Sequence, residues 1–256
     1  MTDYVHNYGG PSKISVMGIR EIKTALNTSQ YFGKLGDVKC LGMGREVVFA
    51  KLSTAAATAA MVAGSLMQAP APVANHMQRA AALTASIGAK EIYLVLGATA
   101  MAKDAYQDGL VHISSGAGSG YSYMVQGNPS AAASSTACKV ILKDGLEVAL
   151  TTASICNLIP NPCNNVILTT SCAAKTSIPV GVLLKSAALT NGGYCYLGKR
   201  GIWPVLVEGT ELTGKDMQVG SAAGTARAVG TGSLTFGYIG KCVVTGQATC
   251  LVDLKL

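Results

Sequence analysis

The chain has 256 residues, enough for one large all-β domain or two small ones. Apolar residues make up 49% of it, aromatic residues only 5% and charged residues only 13%, so the core is thin and little of the surface is armoured with charge. The net charge of +7 is scattered, with only Lys199-Arg200 adjacent and no RNA-binding aromatic motif, which argues against a nucleic-acid partner. The longest low-polarity run, Thr54 to Met67, falls short of the ~20 apolar residues a membrane helix needs.

Residues 1–35 read as an extended N-terminal arm. Tyr4, Val5, Tyr8, Ile14, Val16, Met17, Ile19, Ile22, Leu26, Tyr31 and Phe32 are apolar and have no periodic partner strand nearby. Ile19, Ile22 and Leu26 fall at i, i+3 and i+7, the spacing of a short amphipathic helix across Ile19–Asn27. Such an arm must bury itself either on its own body or on a neighbouring subunit. The first ten residues lack a basic n-region and an apolar h-region, so no secretory signal is read, and a reducing folding compartment is expected.

From Gly36 the pattern is strand, turn, strand. Val38–Leu41 and Glu46–Leu52 flank Gly42-Met43-Gly44. Thr54–Met67 is open between a loop-helix and a small-residue strand, and Ala69–Val73 (APAPV) is extended because each proline biases its predecessor away from helix. Strands are expected at Ala80–Ile87, Glu91–Leu96, Leu110–Ile113, Tyr121–Val125, Ala137–Lys143 and Leu146–Leu150. The Ser114–Gly120 loop joins the middle pair as a hairpin. Leu158–Asn164 (LIPNPCN) is a proline-punctuated corner and the expected boundary between a first β unit, 36–160, and a C-terminal β-sandwich or barrel unit, 161–256. In the latter, Val180–Leu184, Gly193–Leu197, Ile202–Val207, Met217–Val219, Leu234–Val244 and Thr249–Leu254 read as strands with glycine turns between them. The last alternates, with Cys250, Val252 and Leu254 on one side and Leu251, Asp253 and Lys255 on the other. The fold class is therefore mainly β, with sandwich or barrel units and little helix.

Chemical signatures are hard to find. The eight cysteines form no C-x-x-C pair and the three histidines lie away from them, so no metal site is expected; buried thiols are the default, with a Cys242–Cys250 disulfide left open. Gly116, Gly118 and Gly120 sit before a strand, not a helix, which disfavours a phosphate loop. His112 inside a strand and the turn-forming Asp104, Asp108, Asp144 and Glu147 assemble no catalytic constellation. No enzyme activity and no cofactor are expected. Tyr106, Tyr121 and Tyr123 suggest an alternative, a carbohydrate-binding β module with a stacking surface.

The C-terminal third carries a recognisable series: Pro179-Val180-Gly181-Val182, Tyr194-Cys195-Tyr196-Leu197, Gly201-Ile202-Trp203-Pro204-Val205-Leu206-Val207-Glu208-Gly209, Phe236-Gly237-Tyr238-Ile239-Gly240 and Val252-Asp253-Leu254. With Gly44–Lys51, Gln68–Pro72 and Asp108–Tyr123, this resembles head structural proteins of tailed bacteriophages, of the capsid decoration or cement type, over roughly residues 40–256. The resemblance implies a virion protein on the capsid surface, made in the host cytoplasm. Its partners would be the major capsid protein and copies of itself as a dimer or trimer, with no nucleic acid and no membrane. On that reading Tyr4, Val5, Tyr8, Ile14, Met17, Ile19, Ile22, Leu26, Tyr31 and Phe32 form the partner-binding arm. A tail tube, a head fibre or the major capsid subunit are the alternatives within the virion.

Overall fold

Apart from two single-turn 3-10 segments, Gly42–Gly44 and Ala74–His76, the regular elements among the described residues are all strands. The computed structural model describes residues 33–53, 61–171, 176–186, 192–210, 213–230, 237–244, 246 and 248–256. The arm residues Tyr4 to Phe32 and the helix expected at Ile19–Asn27 lie outside them. In chain order the strands are β1 (Val38–Leu41), β2 (Arg45–Lys51), β3 (Leu66–Gln68), β4 (Arg79–Ala80), β5 (Glu91–Leu94), β6 (Leu110–Ser115), β7 (Ser122–Gly127) and β8 (Cys138–Leu142). They continue with β9 (Ile155–Ile159), β10 (Ile167–Leu168), β11 (Pro179–Leu183), β12 (Tyr194–Leu206), β13 (Asp216–Val219), β14 (Ala226–Ala228), β15 (Tyr238–Val244) and β16 (Thr249–Lys255).

Two compact units result. One is split in sequence and combines the described residues up to Ala69 with Cys163–Leu256; the other, Pro70–Pro162, is inserted between its halves. The junction at Pro162/Cys163 falls in the proline corner, and the other, at Ala69/Pro70, falls in APAPV. The grouping of 36–69 with the segment up to 160 is not what the strands do. β2 pairs antiparallel with β12, from Tyr194↔Lys51 to Arg200↔Glu46, so these residues join the C-terminal strands. Hairpin spacing reports neighbours in sequence and is blind to a ladder closed over more than a hundred residues.

The inserted unit is a near-barrel in the order β4-β9-β6-β7-β8-β5. Its two edges meet through a bridge between Ala81 and Leu94, where the Ala82 N–H donates to Tyr93 O at 2.7 Å and the Val95 N–H to Ala80 O at 3.0 Å. Alternate residues point inward: Ile92 and Leu94, Val111 and Ile113, Tyr123 and Val125, Val140 and Leu142, Cys156 and Leu158 fill the interior. Two expected strands are corrected here. Ala80–Ile87 pairs as a strand only at its start and is otherwise held by single bridges at Ala81 and Ala85, because its small side chains supply no alternating apolar face. Leu146–Leu150 likewise forms no strand: a bridge from Leu150 to Ala85 and hydrogen bonds of Leu146 with Gly88 and Ala89 hold it, and Leu146 and Leu150 pack into the barrel core. β9, of which only Leu158 and Ile159 fall in the expected corner and the rest in no expected strand, is the strand between β4 and β6.

The split unit has a ten-stranded sheet, ordered β10-β3-β11-β12-β16-β15-β13-β14, with β1 and β2 attached through β12; it curls into a half-barrel. β2 reads as a continuous apolar run because both faces are covered. Val47 and Phe49 enter one core with Tyr196, Trp203 and Val252, while Val48 and Ala50 enter another with Met67, Val182's neighbour Leu183, and Leu197. The two short strands expected at Gly193–Leu197 and Ile202–Val207 are one, β12. Its first half pairs with β2 and its second half with β16. Gly201, at φ +83°, allows the change of partner: a Cβ there would stand 2.9 Å from the Arg45 Cα. The terminal alternation of β16 is as expected, with Cys250, Val252 and Leu254 buried.

Candidate docking groove

An apolar groove of about 520 Å³ opens on the split unit. Its floor is the outward face of β12, β16 and β15. Strand alternation sends Trp203 and Val205 inward and leaves Ile202 and Pro204 facing out, and the register sets Pro204 opposite Leu251 and Leu251 opposite Val244. Ile202 is 38% exposed, Leu251 37% and Val244 49%, an apolar row where a solvated sheet face would carry polar side chains. Leu183, Leu184, Ala63 and Gly64 make one wall, and Met43 with Arg45 the other.

Local chemistry explains why the groove stays open. On one edge of β12 the Leu206 N–H donates to Gly64 O at 2.9 Å. The N–H two residues earlier would point along the same edge, but position 204 is proline and has none to give. The ladder therefore stops beside the groove. Met43, 86% exposed and at φ +65°, stands at its mouth on the Gly42–Gly44 turn. The turn sets its left-handed backbone, and its flexible thioether is held out to solvent, where a partner surface could cover it.

One charged side chain lines the groove. The Arg45 guanidinium lies 5.2 Å from the Trp203 ring centre, and its Nε donates to Gly42 O at 3.3 Å. Trp203 is fixed in turn by an Nε1–H bond of 2.8 Å to Arg200 O. Two further lysines cover aromatic rings on the same unit, Lys39 over Tyr196 at 5.1 Å and Lys51 over Tyr194 at 5.8 Å.

Other residues singled out in the sequence go elsewhere. Tyr106 is 2% exposed and Tyr123 5%, so with Tyr121 they form no open stacking platform; Tyr121 and Tyr123 stack on each other at 6.3 Å. Tyr106 binds the buried His76, its hydroxyl 2.6 Å from Nδ1, while Nε2 lies 2.9 Å from Thr99 O. A carbonyl only accepts, so Nε2 carries the proton and Nδ1 accepts from the phenol. Burial, and then the charge of Cys138, push the Tyr106 hydroxyl up to about 12. The Ser114–Gly120 loop folds back on its own barrel: a Cβ at Gly116 would come within 2.6 Å of Ala153 O, and Ser154 donates to Ala117 O at 2.8 Å. Asp108 forms an ion pair with Lys143.

The described cysteines are thiols, and Cys242 and Cys250 are not bridged. Burial pushes Cys138, Cys156 and Cys163 up to about 11 and Cys195 up to about 12, which keeps them protonated and poor nucleophiles. Cys40 on β1 is exposed. Among the described residues no group of three or more His, Cys, Asp or Glu side chains converges as metal ligands would. Glu208 is the most perturbed carboxylate. Burial opposes its charge, but the Ser221 hydroxyl at 2.6 Å, the Thr225 hydroxyl at 2.5 Å and the backbone N–H of Ala222 outweigh that and hold it at about 2. It ties the loop before β14 to the end of β12.

No family model, curated protein or solved structure matches the chain. The groove residues come from separate segments, and the sequence carried one sign of them: Leu251, an apolar residue on the wet side of β16 beside Asp253 and Lys255.

Proposed function

We propose that this chain is a virion structural protein, a capsid decoration or cement protein that binds and stabilises the icosahedral head of a tailed phage. The observation that carries this reading is the outward apolar groove of Ile202, Pro204, Leu251 and Met43, on β units whose cores are otherwise closed. Such a surface gains free energy from contact with another protein, at roughly 25 cal/mol per Å² of apolar area removed from water. On a shell, each small contact is multiplied by copy number. The partners are the major capsid protein and neighbouring copies, met at the capsid surface after synthesis in the host cytoplasm.

The test is co-sedimentation of the purified full-length protein with undecorated capsids, followed by heating of the decorated particles. Saturable binding and a higher disruption temperature are expected, and both are lost with Ile202→Asp combined with Leu251→Asp. A protein that stays in the supernatant at all concentrations overturns the reading. Tubes or rings formed by the isolated protein would assign it to the tail instead.

A further inference from the structure

We propose that the groove is the seat of the leading segment of a second copy of this chain, residues 14–26. This rests on the decoration reading, since an arm lying in its own groove would join a copy to nothing.

Three observations converge. The first is the groove itself. Ile202, Pro204 and Leu251 floor it, Met43 stands exposed at its mouth, and Pro204 ends the backbone ladder beside it. It therefore receives side chains, not an added strand along that edge. The second is composition. Ile14, Val16, Met17, Ile19, Ile22 and Leu26 lie within thirteen residues, and Ile19, Ile22 and Leu26 have the spacing that presents one apolar edge to a groove. A cavity of about 520 Å³ has room for a few such aliphatic side chains. The third is where the described chain starts. Gly33 lies beside Phe49, and the Gly36 N–H donates to Phe49 O at 2.9 Å, so the described chain begins against β2, the strand whose other end is Arg45. The stretch from Leu26 to Gly33 reaches at most about 25 Å. That is long enough to cross between abutting copies and short enough to hold them in contact.

The exposed position of Ile202 tolerates a bulky replacement, so the test uses full-length protein with the photo-crosslinker p-benzoyl-phenylalanine in its place. Irradiation is followed by a denaturing gel and peptide mass spectrometry. The expected product is dimer-sized and joins position 202 to a peptide from residues 14–26. Ile22→Asp lowers its yield about tenfold or more, as losing one buried aliphatic contact should. The thermal unfolding midpoint, measured alongside, stays unchanged. Adducts confined to one chain, adducts to other segments, or a yield indifferent to Ile22→Asp overturn the exchange. Capsid co-sedimentation of the wild-type protein separates the two readings. If it persists while the intermolecular adduct is absent, the exchange falls and the decoration role stands; if it fails, the decoration role falls with it.

Discussion

The indole of Trp203 lies against the backbone of Gly198, so close that a Cβ on residue 198 would stand 2.8 Å from the ring. Both residues belong to β12, and the contact marks the corner where this strand leaves β2 for β16. Any side chain at 198 must displace the tryptophan, and with it Arg45, whose guanidinium lies over the ring at the groove wall. Gly198→Ala is therefore expected to destabilise the protein by about 1–3 kcal/mol, the usual cost of overpacking. The measurement is urea unfolding followed by the fluorescence of Trp203, the sole tryptophan. An unchanged midpoint and emission maximum would contradict the corner role.

Glu208 sets an acid limit. Its carboxyl is at about 2 in the folded chain against 4.5 without its partners. A depressed carboxyl stabilises the fold above its unfolded pKa, and the contribution is lost as pH falls through the folded value. The unfolding temperature of the wild type should thus decline between about pH 4.5 and pH 2 more steeply than that of Glu208→Gln, the two curves converging at the acid end. Parallel curves would show that the hydrogen bonds from Ser221, Thr225 and Ala222 do not act on the charge.

Tyr106→Phe removes the hydroxyl that donates to His76 Nδ1 and leaves a buried ring nitrogen without it. The expected loss is about 1–3 kcal/mol, measured by thermal unfolding. Alkaline titration of the wild type by ultraviolet absorbance should show a step at about pH 12 that belongs to Tyr106, and Tyr106→Phe should remove it.

Thiol accessibility gives a further check. In a Cys172→Ser background, which sets aside the cysteine outside the described residues, Ellman's reagent should react quickly with Cys40 alone. The buried thiols should follow only on unfolding, and Cys40→Ser should abolish the fast phase. Rapid reaction of two or more thiols would mean that the barrel interiors are more open than the packing of Cys138, Cys156, Cys195 and Cys242 indicates.

Local residue pattern was enough to place most strands. The glycines of Gly42-Met43-Gly44 and of the Ser114–Gly120 loop, and the alternation of β16, sit where short-range sterics and one-sided burial put them. It failed at Ala80–Ile87 and Leu146–Leu150, where apolar residues pack into a barrel end without forming a ladder. It also failed at β9, whose last residues, Leu158 and Ile159, run into Pro160 and Pro162 and so read as a corner.

The amino-acid sequence by itself determined that this protein is built of strands, because β-branched runs between glycines and prolines have few other ways to satisfy their backbones. It also carried one of the two crossings between units, the Leu158–Asn164 corner, whereas Ala69–Val73 read only as extended chain. Only the tertiary structure decided which strands meet. The ladder from β2 to β12, the closure of the inserted barrel through Ala81 and Leu94, and the gathering of Met43, Ile202 and Leu251 into one groove all depend on register between distant segments. Register is a property of the assembled sheet, since sliding a strand by one residue exchanges its buried and exposed faces.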